Sequence, residues 1–136
     1  MIEIAYESTP DLNLSEDTLC NWISKVVELE GKEMSDIALI FCNDEYLLKV
    51  NQDFLEHDFY TDIITFDYCS DNLISGDLFV SVERVIDNAQ EYNVTFQQEL
   101  HRVIVHGILH LCGYMDKTPE EETVMRQKES DALLLL

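Results

Sequence analysis

In the run His106 to Asp116, HGILHLCGYMD, two histidines stand four residues apart and an aspartate follows six later. On a helix, residues at i and i+4 share one face, here about 6 Å apart along the axis. That is the HxxxH half of a zinc site. Gly113 ends the helical pattern and permits a sharp turn, so Asp116 can swing back toward the histidines. Two imidazoles and a carboxylate leave a fourth position for water, the arrangement that catalytic zinc requires. The protease form HExxH carries a glutamate base after its first histidine; here that position is Gly107, which argues against peptide hydrolysis by that route. Spacing alone leaves a second reading open, in which these are polar residues satisfied within an apolar helix.

The same helix brings further charged residues near. Arg102 lies one turn before His106 and Glu99 seven residues before it, so Arg102 can bind a phosphate or pair with Glu99. His101, five before His106, falls round the helix and outside the site. Gly107 costs the helix about 1 kcal/mol relative to alanine, which is explained if a backbone or a substrate approaches closely there.

The elements that must position these residues follow from periodicity. Residues 2–6 alternate as a strand. A cap around Asn13 to Ser15 opens a helix carrying Leu19, Trp22, Ile23, Val26 and Val27, closed by Gly31. Ile37 to Cys42 is an apolar run of strand length, and Asn43-Asp44 caps a short helix. Asp62 to Tyr68 and Ile74 to Val82 read as two strands of a hairpin around Asp71-Asn72. Helical spacing resumes from Glu83, again from Thr95 to Leu111, and a third time after the Thr118-Pro119-Glu120-Glu121 start signal. The order β-α-β-α-β-β-α-α-α predicts an α+β fold with a small mixed four-stranded sheet, in a single domain over residues 1–136. The four closing leucines can continue the last helix, close the core or meet another subunit.

Composition limits the partners. The chain has 28 acidic and 8 basic residues, a net charge of −20. Such a surface repels nucleic acid, so any RNA must be gripped locally, and DNA is not expected as a partner. Cys20, Cys42, Cys69 and Cys112 form no CxxC and sit in apolar surroundings, as in proteins of a reducing compartment. No apolar stretch approaches the roughly 20 residues of a membrane span, and MIEIAYES is no secretory signal. A cytoplasmic location is expected.

HGILHLCGYMD resembles the signature of the YbeY family, bacterial endoribonucleases that act as rRNA maturation factors. NQDFLEHDFYTDIITF (51–66) is similar to that family's loop and strand, and GDLFVSVERVIDNA (76–89) to its next strand and helix; Glu99 and Glu129 also fit. The resemblance covers nearly the whole chain and implies a zincin-like architecture. It implies the metal ligands His106, His110 and Asp116, with one zinc ion, or another divalent transition metal, per chain. The family's third ligand is commonly a histidine, so Asp116 is a departure that makes the ligand set harder and anionic. A second departure is Leu55, which occupies the place of an arginine tied to substrate binding or catalysis. His57 and Arg102 are the candidates to replace it. Thr61 and Asp62 match a family pair, in which Asp62 orients a ligand histidine or caps its loop.

The function implied is a metal-dependent, single-strand-specific endoribonuclease in 16S rRNA 3′-end maturation and ribosome quality control. Its partners would be rRNA or the ribosomal subunit and a ribosomal protein. Two other readings compete: a non-catalytic assembly factor with a structural metal, and a metal-dependent hydrolase of another substrate. A closed four-ligand site would favour the assembly factor.

Overall fold

A computed structural model describes Met1 to Leu136. Its elements, in chain order, are β1 (Ile2–Glu7), α1 (Glu16–Leu29), β2 (Glu33–Cys42), α2 (Asp44–Leu55), β3 (Ile63–Asp67), β4 (Leu73–Ser81), α3 (Val82–Glu91), α4 (Phe96–Leu111) and α5 (Pro119–Leu133). Both the α+β class and the element order agree with the expectation from the sequence.

Local signals set the helix starts. Ser15, Asn43, Ser81, Thr95 and Thr118 each accept a hydrogen bond from the first-turn backbone. Thr95 with Gln98 and Thr118 with Glu121 complete capping boxes.

The four strands form one mixed sheet in the order β1-β2-β4-β3. β1 runs parallel to β2 and β2 parallel to β4, while β3 and β4 form the antiparallel hairpin. β2 begins four residues before the apolar run. Glu33 and Met34 pair with Leu73 and Ile74 ahead of a register shift at Met34/Ile37. Ladder bonds to β4 extend the strand where side-chain patterning carries no signal.

Helix α4 is the centre of the molecule. Leu100, Val103, Ile104, Val105, Ile108, Leu109 and Leu111 are all buried, in one core cluster with residues of α1, β2, β4, α3 and α5. A helix apolar on nearly every side needs neighbours on nearly every side. Gly107 serves that packing. A Cβ there would stand 2.7 Å from Ile63 Cδ1 and 2.7 Å from Leu78 Cδ2. Side chains of β3 and β4 take the space expected for a backbone or a substrate, so the sheet and helix can close together.

At the other end of the core, Trp22 Nε1 donates to the Ala132 carbonyl at 2.8 Å, fastening α5 to α1. Leu133 and Leu135 pack against the core while Leu134 and Leu136 face solvent, so alternate residues of the leucine tail close the core.

Candidate metal centre

The metal-binding geometry begins with the end of α4. Gly113 adopts φ +109°, and two backbone bonds close the turn: Gly113 N–H to the His110 carbonyl and Tyr114 N–H to the Leu109 carbonyl, both 3.0 Å. This is the Schellman arrangement, in which the left-handed residue is most easily glycine. It reverses the chain onto the histidine face. The Tyr114 carbonyl then accepts from His110 Nδ1 at 2.8 Å, and Asp116 is returned to the histidines.

Three donor atoms converge there. His106 Nε2 and His110 Nε2 lie 3.1 Å apart, and Asp116 Oδ2 lies 3.2 Å from the first and 3.4 Å from the second. Ligands held at 2.0–2.1 Å around a tetrahedral ion are about 3.3 Å from one another, which matches this triangle.

The protonation pattern also fits a cation. A carbonyl can only accept, so His110 Nδ1 carries a proton. His106 Nδ1 likewise donates to Glu129 Oε2, at 2.6 Å. Neutral imidazoles protonated at Nδ1 direct both Nε2 lone pairs at each other and at an Asp116 oxygen. Three acceptors facing one point call for a positive charge between them. His106, His110 and Asp116 are thus a group able to hold a metal ion.

Behind His106 is a buried ionic network. Glu129 and Glu99 are 2% and 1% exposed. Arg102 binds Glu99 through Nε at 2.8 Å and Nη2 at 2.5 Å, and reaches Glu129 through Nη1 at 3.2 Å. Arg126 Nη1 reaches Glu129 at 3.0 Å. Two carboxylates are balanced by two guanidinium groups, so the ionic network behind His106 carries little net charge. Burial would raise the Glu129 pKa; the His106 hydrogen bond and charge, followed by the Arg102 and Arg126 charges, outweigh it and hold the carboxyl below its usual range. Burial alone would lower the Arg102 pKa, but Glu99 and Glu129 bring it above the ordinary arginine value.

The other candidates fall differently. Arg102 is engaged by its two carboxylates, and Glu99 holds Arg102 and touches neither histidine. Asp62 does not orient a ligand. Its Oδ2 accepts from Asn88 Nδ2 at 3.2 Å and its carbonyl from Ser81 N–H at 2.9 Å, anchoring the start of β3 to β4 and α3. Burial raises its carboxyl pKa against the opposing pull of Arg102 and His106. The histidine-orienting role belongs to Glu129, 23 residues after His106. Its signal in the sequence was its fit to the family pattern, which gave it no role. His101 packs edge-to-face on Trp22, outside the centre. Burial pushes the Cys42 thiol up to about 12, which keeps it from acting as a thiolate ligand.

The donor triangle faces a cleft of about 600 Å³, walled by Leu55, His57, Phe59, Thr61, Asp62 and Lys117 among others. A second cleft, about 670 Å³, meets the first at His106 and Asp116 and runs along α5. The centre is therefore flanked by open space on two sides, which suits an extended substrate passing over it better than a small molecule enclosed by it.

Comparison with known proteins identifies the family. A family model described as Endoribonuclease YbeY matches residues 4–136. Endoribonuclease YbeY of Phocaeicola vulgatus is 50% identical over 127 residues, covering 93% of this chain and 91% of the relative. That of Flavobacterium johnsoniae is 50% identical over 135 residues, covering 99% and 96%. The solution structure of TM1509 from Thermotoga maritima aligns with a TM-score of 0.71 at 27% identity, over 99% of this chain and 88% of that one. With its fold, its HxxxH helix and these relatives in agreement, the chain belongs to the YbeY family.

Proposed function

We propose that this protein is a zinc-dependent endoribonuclease that cuts single-stranded RNA, acting in maturation of the 16S rRNA 3′ end and in ribosome quality control. The carrying observation is the triangle of His106, His110 and Asp116 donors, open on the cleft side. A structural zinc is closed by four protein ligands, whereas three with an open position is the catalytic pattern. That favours catalysis over the assembly-factor reading, and the names of the relatives favour RNA over another hydrolase substrate.

When bound, the ion supplies Lewis acidity, polarising a phosphoryl oxygen and making water more acidic. The chain's own residues do the positioning. Glu129 fixes the ring plane and tautomer of His106, and the Tyr114 carbonyl does the same for His110. The Gly113 turn sets Asp116. Arg102 acts through Glu129 and Glu99 rather than on substrate. His57, on the cleft wall, is the remaining candidate for substrate contact.

With a net charge of −20, affinity for naked RNA is expected to be weak. The same charge suits a basic ribosomal protein that delivers the RNA. No helix is long and apolar enough to cross a membrane, and the four cysteines are free; both accord with a cytoplasmic role at the ribosome.

The test compares wild type with His110→Ala on labelled single-stranded RNA carrying the 16S 3′ end, with and without a chelator. Cleavage lost in both controls supports the proposal. Equal cleavage by both proteins means a contaminating nuclease. No cleavage by fully metallated wild type would refute the enzymatic reading in favour of the assembly factor.

A further inference from the structure

The loop between α2 and β3 carries aromatic surface beside the metal centre. His57 and Phe59 stack with ring centroids 5.1 Å apart and planes 23° from parallel. Both are exposed, Phe59 by 55%, and both line the cleft onto which His106, His110 and Asp116 open.

The loop is built to hold them. Buried Asn51 donates from Nδ2 to the Phe59 carbonyl at 2.9 Å, and its own carbonyl accepts from His57 N–H at 3.1 Å. Gln52 Nε2 holds Asp58 Oδ1 at 2.6 Å. The next aromatic, Tyr60, is turned away by its hydroxyl bond to Glu45. Asn51 therefore fixes the backbone on both sides of Asp58 while leaving two stacked rings open to the cleft. Exposed apolar rings on a tethered loop indicate a ligand that covers them.

Charge indicates what kind. Lys49, Arg84, Arg102, Arg126 and Lys128 are all in ion pairs. Lys25, Lys32 and Lys117 make none, and of all eight lysines and arginines only Lys117 lines this cleft. It follows Asp116 directly, so its ammonium group and the aromatic pair belong to the same cleft as the donor triangle. Flat apolar faces beside an isolated cation, on a surface otherwise acidic, match a base and its phosphate in a single strand.

Resting on the reading of this site as an RNA-cleaving centre, we propose that His57 and Phe59 form a stacking platform for one base of the single strand, with Lys117 binding a neighbouring phosphate. A paired base cannot offer its face to the platform, so the loop selects unpaired nucleotides.

The probe is a short single-stranded 2′-O-methyl oligoribonucleotide with one 2-aminopurine, whose fluorescence reports stacking. Metallated wild type should bind it and quench that fluorescence. Phe59→Ala should weaken binding about 5- to 150-fold and abolish the quench, and Phe59→Trp should preserve both. Phe59→Leu, which keeps apolar bulk, should behave like Phe59→Ala. Lys117→Gln should leave the quench intact and lower the slope of log affinity against log salt by about 0.7. The proposal is overturned if wild type fails to bind, if Phe59→Ala binds as wild type does, if Phe59→Leu retains the quench, or if Lys117→Gln leaves the slope unchanged. Cleavage of natural single-stranded RNA, assayed in parallel, separates the two ideas. Cleavage with unaltered Phe59→Ala binding would remove the platform and leave the nuclease; stacking without cleavage would do the reverse.

Discussion

Glu129→Gln is the most informative single change, because Glu129 is where the buried ionic network meets the metal centre. The substitution keeps the side-chain volume and leaves a carbonyl oxygen to accept from His106 Nδ1. It removes the negative charge that now faces His106 at 2.6 Å, Arg126 at 3.0 Å and Arg102 at 3.2 Å. Loss of an anionic partner behind a ligand histidine typically lowers metal affinity 10- to 100-fold, or about 1.4–2.7 kcal/mol. Breaking a buried pair costs about 3–5 kcal/mol of stability. The lower end is expected here, since Arg102 keeps both Glu99 bonds and Arg126 can return to water.

Glu99→Gln is the control. Glu99 is as deeply buried and binds the same arginine, but touches neither histidine. It should lower stability to a similar degree and leave metal affinity unchanged. Affinity is read by competition with a chromophoric chelator at neutral pH, and stability by urea unfolding of the metal-free protein. Equal affinity in wild type and Glu129→Gln would refute the claim that Glu129 tunes His106. An equal affinity loss in Glu99→Gln would show that general loosening, not the His106 contact, is responsible. The pH dependence has a definite sign. The Glu129 pKa is lowered on folding, so its stabilisation is full above the unfolded glutamate value of about 4.3 and is lost as pH falls through the folded one. Glu129→Gln should therefore lose less stability than wild type over that acid range.

Three further outcomes follow from the geometry. Gly113→Ala puts a Cβ at φ +109°, costing about 1–2 kcal/mol, and should weaken metal binding through displacement of Asp116; unfolding and metal titration on one preparation would check both. Gly107→Ala gains about 1 kcal/mol of helix propensity but presses on Ile63 and Leu78, where overpacking costs about 1–3 kcal/mol; a net fall in melting temperature is expected, and a rise would refute the packing role. Asp116→His replaces an anionic donor with a neutral one, which leaves the ion more strongly acidic, so the rising limb of the pH–rate profile should move to lower pH; an unmoved profile would count against Asp116 as a ligand.

The parts of this molecule that depend on neighbours in the chain were readable from its residues. Thr95 with Gln98 and Thr118 with Glu121 announce helix starts because capping acts within one turn. His106 and His110 share a face by helical geometry, and Gly113 marks the reversal by its freedom at positive φ. The β3–β4 hairpin follows from two β-rich runs joined by a short turn. Leu55 and Asp116 could be recognised as departures because they stand within a family pattern that spans the chain.

What remained hidden depends on contacts distant in sequence. The order β1-β2-β4-β3 is set by ladder bonds between separate segments, and it draws Glu33 and Met34 into a strand that their side chains do not announce. Arg102 offered the same charge for a phosphate as for a carboxylate; only the packing of α5 on α4 brought Glu129 to it. Asp62 and Glu129 are both carboxylates able to orient a histidine, and no spacing rule distinguishes them. Helical and turn geometry in the sequence by itself offered His106, His110 and Asp116 as candidate metal donors, and the family resemblance implied them as the ligands. The tertiary structure decided which carboxylate stands behind His106 and which aromatic rings face the centre, because burial and ion pairing are settled between elements that meet only when the chain folds.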